Sequence, residues 1–296
     1  MDKILLIDGQ NMIWKACVAI GKPVVHELSN DLCICGAKWD TSDNRRYGEK
    51  YLSVYNFFRS LRKLIERFSP DKCFFALEGH PQFRYNLYAE YKANRLVKTA
   101  SRAENQEKVY ESGKIILDLM KYLPITLVKS ANYEGDDVIF TLCENLKDED
   151  LTVSSSDTDF IQLLQRKYKK CQVYDSRQDS FFSAPEYSYV FWKALCGDTS
   201  DNIPGFDGIG KKKAEKLLLN PDMFMNFISL EENRANFNIY RQLVEFHKIP
   251  DEELEISEGI TNFDELKEKF NSMSFSSLLE PSTWSKFCKT FECIKF

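Results

Sequence analysis

No run of eighteen consecutive apolar residues occurs in this 296-residue chain, so nothing in it reads as a membrane span. The opening stretch MDKILLIDGQNM is too acidic, and its apolar run too short, for a secretory signal. Paired cysteine spacing is missing too. The nine cysteines are odd in number and scattered, which excludes a disulfide framework and places the chain in a reducing, cytoplasmic setting. There is no excess of positive charge, with 40 Lys and Arg against 45 Asp and Glu. The resulting net charge of −5, taken alone, disfavours a nucleic-acid partner. Internal repeats and low-complexity segments are absent as well. What is present is a 43% hydrophobic content, enough for a core of ordinary size. The length suits one large domain, or one and a half, better than a string of modules.

Short apolar runs recur along the first two thirds of the chain: KILLID, CFFAL, ITLV, LTVSS and CQVYD. Each is bounded by polar or turn residues and reads as a strand. Between them, YLSVYNFFRSLRKLIERF and EKVYESGKIILDLMKYL space their apolar residues three and four apart, as amphipathic helices do. Strands alternating with helices imply an α/β fold with a mostly parallel sheet flanked by helices. Ligands of such sheets sit beyond the carboxyl ends of the strands. From about Pro185 the strand signals fade and short helices take over. Residues 21–50 read as an irregular insertion. Its Cys33, Cys35 and His26 lack a fourth ligand and a usual zinc spacing, so a surface loop is the better reading. The tail beyond Pro250 is expected to pack back on the body.

Acids gather where that architecture would aim them at one edge. Asp8 closes the first strand and Glu78 the second. YEGDDVIF supplies Glu134, Asp136 and Asp137 at a helix start, and SSDTDF supplies Asp157 and Asp159 beyond the fourth strand. CGDTSDNIPG adds Asp198 and Asp201, three apart and expected on one face of a helical turn. Any one of these has a plain explanation, since Asp and Glu cap helices and favour their first turns. Together they would raise one another's pKa and destabilise the fold unless cations bind. Oxygen-only ligands suit Mg²⁺ or Mn²⁺ rather than zinc. Two such ions roughly 3.5–4 Å apart can activate a water and stabilise the leaving oxygen of a phosphoryl displacement. Metal-assisted phosphodiester hydrolysis is the chemistry that fits. Haloacid-dehalogenase-type phosphatases offer a competing pattern, with Asp157 as nucleophile and Asp159 as acid/base. That reading leaves Asp8, Glu78 and the Glu134 cluster without a role. A non-catalytic DNA-structure-binding protein is the third possibility.

Two basic stretches stand beside the acids. GFDGIGKKKAEKLL, residues 205–218, reads as a hairpin between short helices. Gly208 and Gly210 would expose backbone amides to a DNA phosphate, with Lys211, Lys212 and Lys213 as counter-charge. A plain turn with a solvated helix start is the simpler alternative. In FRYNLYAEYKANR, residues 83–95, Tyr85, Tyr88 and Tyr91 alternate with Arg84, Lys92 and Arg95. Aromatics interleaved with positive charge hold single strands with little sequence preference, although tyrosines at this spacing also simply pack. The polar segment 96–106 is expected to order on binding.

In this order and spacing, LIDGQN, YAEYKANR, YEGDD, SSDTDF and GDTSDNIPGFDGIGKKKA resemble the 5′-nuclease (flap endonuclease) superfamily. The likeness is to phage 5′–3′ exonucleases and to the 5′-nuclease domain of bacterial DNA polymerase I, and it runs from residue 2 to about 220. It implies a PIN-like nuclease domain over 1–184, with a helical arch at about 83–115. It also implies a helix-hairpin-helix (helix-three-turn-helix) DNA-binding region and tail over 185–296. Under the resemblance, Asp8, Glu78, Glu134 and Asp136 bind a first metal, and Asp137 belongs to the same cluster. Asp157, Asp159, Asp198 and Asp201 bind or order a second. Lys92 and Arg95 contact the scissile phosphate, while Arg84, Tyr85, Tyr88 and the hairpin contact DNA. The cofactors implied are two Mg²⁺, replaceable by Mn²⁺, and K⁺ held by hairpin carbonyls around Ile209. The implied partners are DNA with 5′ flaps or ends, RNA–DNA hybrids and replication proteins. The chain is expected to act as a monomer without a membrane, in the host cytoplasm if phage-encoded. One departure stands out, because the family usually has Asp at the position of Glu78, here in LEG. A glutamate reaches one carbon further, which bears on first-metal geometry, rate and metal preference.

Overall fold

The computed structural model describes residues 1–18, 45–96 and 100–295. In chain order these residues form β1 (Lys3–Asp8), α1 (Gly9–Val18), α2 (Arg45–Phe68), β2 (Lys72–Ala76), α3 (Gln82–Leu87), α4 (Ala100–Met120) and β3 (Thr126–Lys129). There follow α5 (Gly135–Asn145), β4 (Asp150–Ser154), β5 (Lys170–Asp175), β6 (Ser180–Phe181), α6 (Tyr189–Cys196), α7 (Lys211–Leu218), α8 (Pro221–Ser229) and α9 (Glu231–Val244). The chain closes with β7 (Glu255–Ser257), α10 (Phe263–Ser272), α11 (Ser276–Leu279) and α12 (Pro281–Phe291). The five strands read from the sequence are β1 to β5. The chain divides into two compact units that interleave along the sequence: Met1–Ala76 with Thr99–Val128 and Ile256–Phe296, and Leu77–Lys98 with Lys129–Glu255.

In the first unit β1 is apolar from Ile4 to Ile7 and buried throughout, as a parallel strand covered on both faces must be. It pairs in parallel with β2, from Ile4 opposite Lys72 to Asp8 opposite Ala76. Strand β2 in turn pairs in parallel with β3. Helices α1, α2 and α4 pack on one another, and α12 packs on α2. An aromatic core ties the tail to this body. Phe58 meets Phe270 edge-on at 5.0 Å, and Phe57 meets Phe75 at 5.8 Å. The backbone N–H of Lys295 donates to the Asp71 carbonyl at 2.7 Å, and the Asp71 carboxylate accepts from the Lys3 N–H at 2.9 Å.

In the second unit β4 and β5 run parallel, from Asp150 opposite Lys170 to Ser154 opposite Tyr174. Strand β6 is antiparallel to β5. The helices from α6 to α9 enclose their own core of Ala194, Leu195, Ile209, Ala214, Leu217 and Phe237. Ser188 caps α6 by accepting from the Phe191 N–H, and Asn220 caps α8 by accepting from the Met223 N–H.

Two sequence expectations are corrected in detail. Helix α2 begins at Arg45, so the last six residues of the supposed irregular insertion are helical. Asp198 and Asp201 do not share a helical turn; they lie in a tight loop closed by reciprocal 2.8 Å hydrogen bonds between the backbones of Asp198 and Ile203. Residues 100–106 belong to α4. His26, Cys33 and Cys35, with the rest of 19–44, lie outside the described residues, as do arch residues 97–99. The other seven cysteines are free thiols. Among the described residues, no helix is long and apolar enough to cross a membrane.

Candidate active site

The loop 197–205 is built by two glycines. Gly197 and Gly205 adopt φ of +75° and +67°, the left-handed region that an L side chain disfavours. They also press together, since a Cβ on Gly205 would come within 2.5 Å of the Gly197 nitrogen. The loop between them carries Asp198 and Asp201, both half-buried, and it locks onto the YKANR segment. The Lys92 N–H donates to the Asp201 carbonyl at 2.9 Å, the Asn94 amide to the Thr199 carbonyl at 2.5 Å, and the Asn202 amide to the Glu90 carbonyl at 2.7 Å. Lys92 itself sits at φ +56°, a strained position for a non-glycine residue and one that this docking holds in place. Two separate sequence motifs thus form one interlocked element.

Helix α5 delivers the next acids. Glu134, its N-cap, is buried, and its Oε2 accepts the Tyr91 hydroxyl at 2.9 Å. The Lys92 ammonium contacts Glu134 Oε1 and lies 3.8 Å from Asp201 Oδ2. Arg95 reaches Asp201 Oδ1 at 2.6 Å. Burial lowers the Lys92 pKa, but Glu134 and Asp201 outweigh it and hold the ammonium above its ordinary value. The phenol of Tyr91 is pushed well up by burial and by the same two acids, so it stays a hydrogen-bond donor.

Beyond β4, Asp157 caps a 3₁₀ segment by accepting the Asp159 N–H at 2.9 Å. Asp159 points into a recess that is also lined by Tyr91, Glu134, Asp136, Lys193, Asp198 and Asp201. Oxygens of Asp159, Asp198 and Asp201 lie within 4.8 Å of one another. Lys193, from α6, contacts Asp159 Oδ1 and stands 2.6 Å from Asp198 Oδ2. Burial pushes the Asp159 carboxyl up to about 7; Lys193 pulls it down, while Asp157 and Asp198 push it further up. Burial also acts to raise Asp198, but Lys193 and the Ser200 hydroxyl and N–H hold it below the usual carboxylate range. A set of oxygen donors this close, with no sulfur or imidazole among them, fits a hard divalent cation.

Glu78 is exposed and accepts the Gly135 N–H at 3.2 Å, at the positive end of α5. Asp8, in the first unit, is largely buried and accepts the Asn11 N–H at 3.0 Å at the start of α1. Asp137 does not join the open acids. Arg84 takes both its oxygens at 2.5 and 2.8 Å, and the His247 N–H adds a third contact at 2.8 Å. Arg84, expected on DNA, is only 2% exposed; its remaining donors reach the Leu243 and Glu245 carbonyls. A guanidinium so fully engaged inside the protein has nothing left for a phosphate. Tyr85 stacks on His80 at 4.7 Å, and Tyr85 and Tyr88 pack half-buried around Tyr91 and Leu243. Lys211, Lys212 and Lys213 are exposed at the start of α7, next to exposed Gly208 and Gly210.

Lys193 was not legible as a site residue. Its only signal was a single charge in the otherwise apolar helix YVFWKALC, five residues ahead of Asp198.

Residues 3–188 match the model of the 5′–3′ exonuclease N-terminal resolvase-like domain. The chain belongs to the 5′–3′ exonuclease family. That membership sets aside the phosphatase alternative. DNA polymerase I of Streptococcus pneumoniae is 29% identical over 231 residues, covering 73% of this chain and 24% of the polymerase. The 5′–3′ exonuclease of Mycoplasmopsis pulmonis is 29% identical over 190 residues, covering 61% of this chain and 59% of that protein. The chain therefore spans about a quarter of the polymerase and under two thirds of this shorter relative. The bacteriophage T5 D15 flap endonuclease, crystallised with DNA and metal ions, aligns with a TM-score of 0.55 over 98% of both chains. At 18% identity, that is a likeness of fold. Glu134, Asp136, Asp159, Asp198 and Asp201 line one recess here, and Lys92 and Arg95 pair with two of these acids.

Proposed function

We propose that this chain is a Mg²⁺-dependent, structure-specific 5′ nuclease that hydrolyses phosphodiester bonds of DNA at flaps and ends during replication and repair. The observation that carries the reading is the recess itself. Asp159, Asp198 and Asp201 stand within 4.8 Å of one another, with Lys92 and Arg95 on the rim acid Asp201, in a chain of this family. Glu134 and Asp136, with Glu78, are assigned to one divalent cation. Asp159, Asp198 and Asp201, with Asp157, are assigned to the other. When bound, the two ions supply an activated water and charge stabilisation for an in-line displacement.

The chain's own residues bind and orient. Lys92 and Arg95 exchange their carboxylate partners for the scissile phosphate and offset the charge that develops on it. Tyr91 donates to Glu134 and Asp201, fixing the directions of both carboxylates. Lys211 to Lys213, with the amides after Gly208 and Gly210, grip the backbone of the duplex, and a K⁺ at the carbonyls near Ile209 steadies that hairpin. Tyr85 and Tyr88 are assigned to the end of a single strand. By role, residues 1–184 form the nuclease part and 185–296 the DNA-binding part. RNA–DNA hybrids as substrates, replication proteins as partners and action as a monomer belong to the same proposal.

The test is cleavage of end-labelled flap, nicked and RNA–DNA substrates with Mg²⁺ or Mn²⁺. Asp198→Ala is expected to abolish cleavage and leave flap binding largely intact. Flap binding without cleavage in either metal would replace the nuclease with a non-catalytic binder of DNA structure.

A further inference from the structure

Lys193 is held where few lysines are tolerated. Its side chain is 11% exposed, and its neighbours Val190, Ala194 and Leu195 are buried. Ser188 caps the helix beneath it, so the stem cannot drift without disturbing α6. The ammonium spans Asp159 Oδ1 and Asp198 Oδ2. The choice of oxygens matters. Asp198 Oδ1 already accepts the Ser200 N–H and the Ser200 hydroxyl, both at 2.7 Å, and Asp159 Oδ1 also takes the Tyr189 hydroxyl at 3.4 Å. The oxygen that Asp198 can turn toward a cation in the recess is therefore the one that Lys193 holds. Two cations cannot both sit at contact distance on that oxygen without strong mutual repulsion.

We propose that Lys193 is a tethered counter-cation that competes with a divalent cation for Asp159 and Asp198, and so sets the affinity of that half of the site. This rests on the reading of the recess as a divalent-cation site. Lys193 performs two tasks at once. It places positive charge between two clustered acids in the protein alone, which a bare cluster could not sustain without cost. It also raises the concentration of divalent cation needed before those acids are given up, because its ammonium has to leave two charge-assisted hydrogen bonds. Lys92, between Glu134 and Asp201, is a second ammonium on the acids. It differs in its partners, since the Lys92 N–H also donates to the Asp201 carbonyl, whereas the Lys193 ammonium meets Asp159 and Asp198.

The experiment is Mn²⁺ binding to the full chain without DNA, read as free Mn²⁺ by electron paramagnetic resonance. Lys193→Met and the more polar Lys193→Gln are compared with wild type and with Lys193→Arg. Both neutral variants are expected to bind one Mn²⁺ about tenfold more tightly, with Lys193→Arg close to wild type. In chelator they are expected to melt earlier than wild type, and Mn²⁺ should restore more stability to them than to wild type. Unchanged or weaker Mn²⁺ binding in Lys193→Gln would overturn this role while leaving the nuclease reading in place. Failure of wild type itself to bind Mn²⁺ would overturn both.

Discussion

Arg84 grips Asp137 through two parallel hydrogen bonds of 2.5 and 2.8 Å, with both side chains almost completely buried. The pair joins α3 to the first turn of α5, and the Leu243 and Glu245 carbonyls at the end of α9, with Glu134 Oε2 at 3.1 Å, complete the guanidinium's shell. A buried pair of this kind is costly to break from one side, because the survivor is left charged and unpaired. Asp137→Asn is expected to destabilise the protein by about 3–5 kcal/mol in urea unfolding, with Mn²⁺ stoichiometry unchanged in the folded fraction. Loss of a bound Mn²⁺ at full stability would return Asp137 to the ligand set.

The 197–205 loop yields a second expectation. Gly205→Ala places a Cβ at φ +67° and 2.5 Å from the Gly197 nitrogen. The left-handed backbone alone costs about 1–2 kcal/mol, and the collision adds to it. Since the loop carries Asp198 and Asp201 together, flap cleavage should fall far more than the melting temperature does. A variant with wild-type cleavage would show that loop closure does not position these acids.

Asp159 makes stability depend on pH in an unusual direction. Its carboxyl is held at about 7 by burial, so between about pH 4 and 7 the folded protein keeps a proton that the unfolded chain has released. The folded state then binds more protons, and stability falls as pH rises through that window and stays low above it. Asp159→Asn, measured in chelator, should flatten the decline between pH 5 and 8. Parallel unfolding curves for the two proteins from pH 5 to 8 would contradict this.

Lys211, Lys212 and Lys213 form an exposed basic start to α7. If they contact phosphates of duplex DNA, each Lys→Gln change should reduce the slope of log K against log salt by about 0.9. The effect should be similar for duplexes of different sequence, because phosphate contacts carry no base readout. An unchanged slope in the triple variant would remove these lysines from the interface.

Much of the fold was open to reading from the chain alone. β1 to β5 declare themselves as short apolar runs, because a strand buried on both faces needs no polar alternation. α2 and α4 declare themselves by three- and four-residue spacing. The acids, the YKANR segment and the hairpin were equally visible, since each is a local pattern of residue types. What the sequence could not decide was which charge meets which. Arg84 and Lys92 look alike in FRYNLYAEYKANR, yet one is sealed against Asp137 and the other stands at the rim on Glu134 and Asp201. Asp136 and Asp137 are adjacent, yet one lines the recess and the other lies in the interior. Lys193 carried no motif at all. Ion pairing is set by contacts between residues fifty or a hundred positions apart, and only tertiary packing determines which oxygens they share.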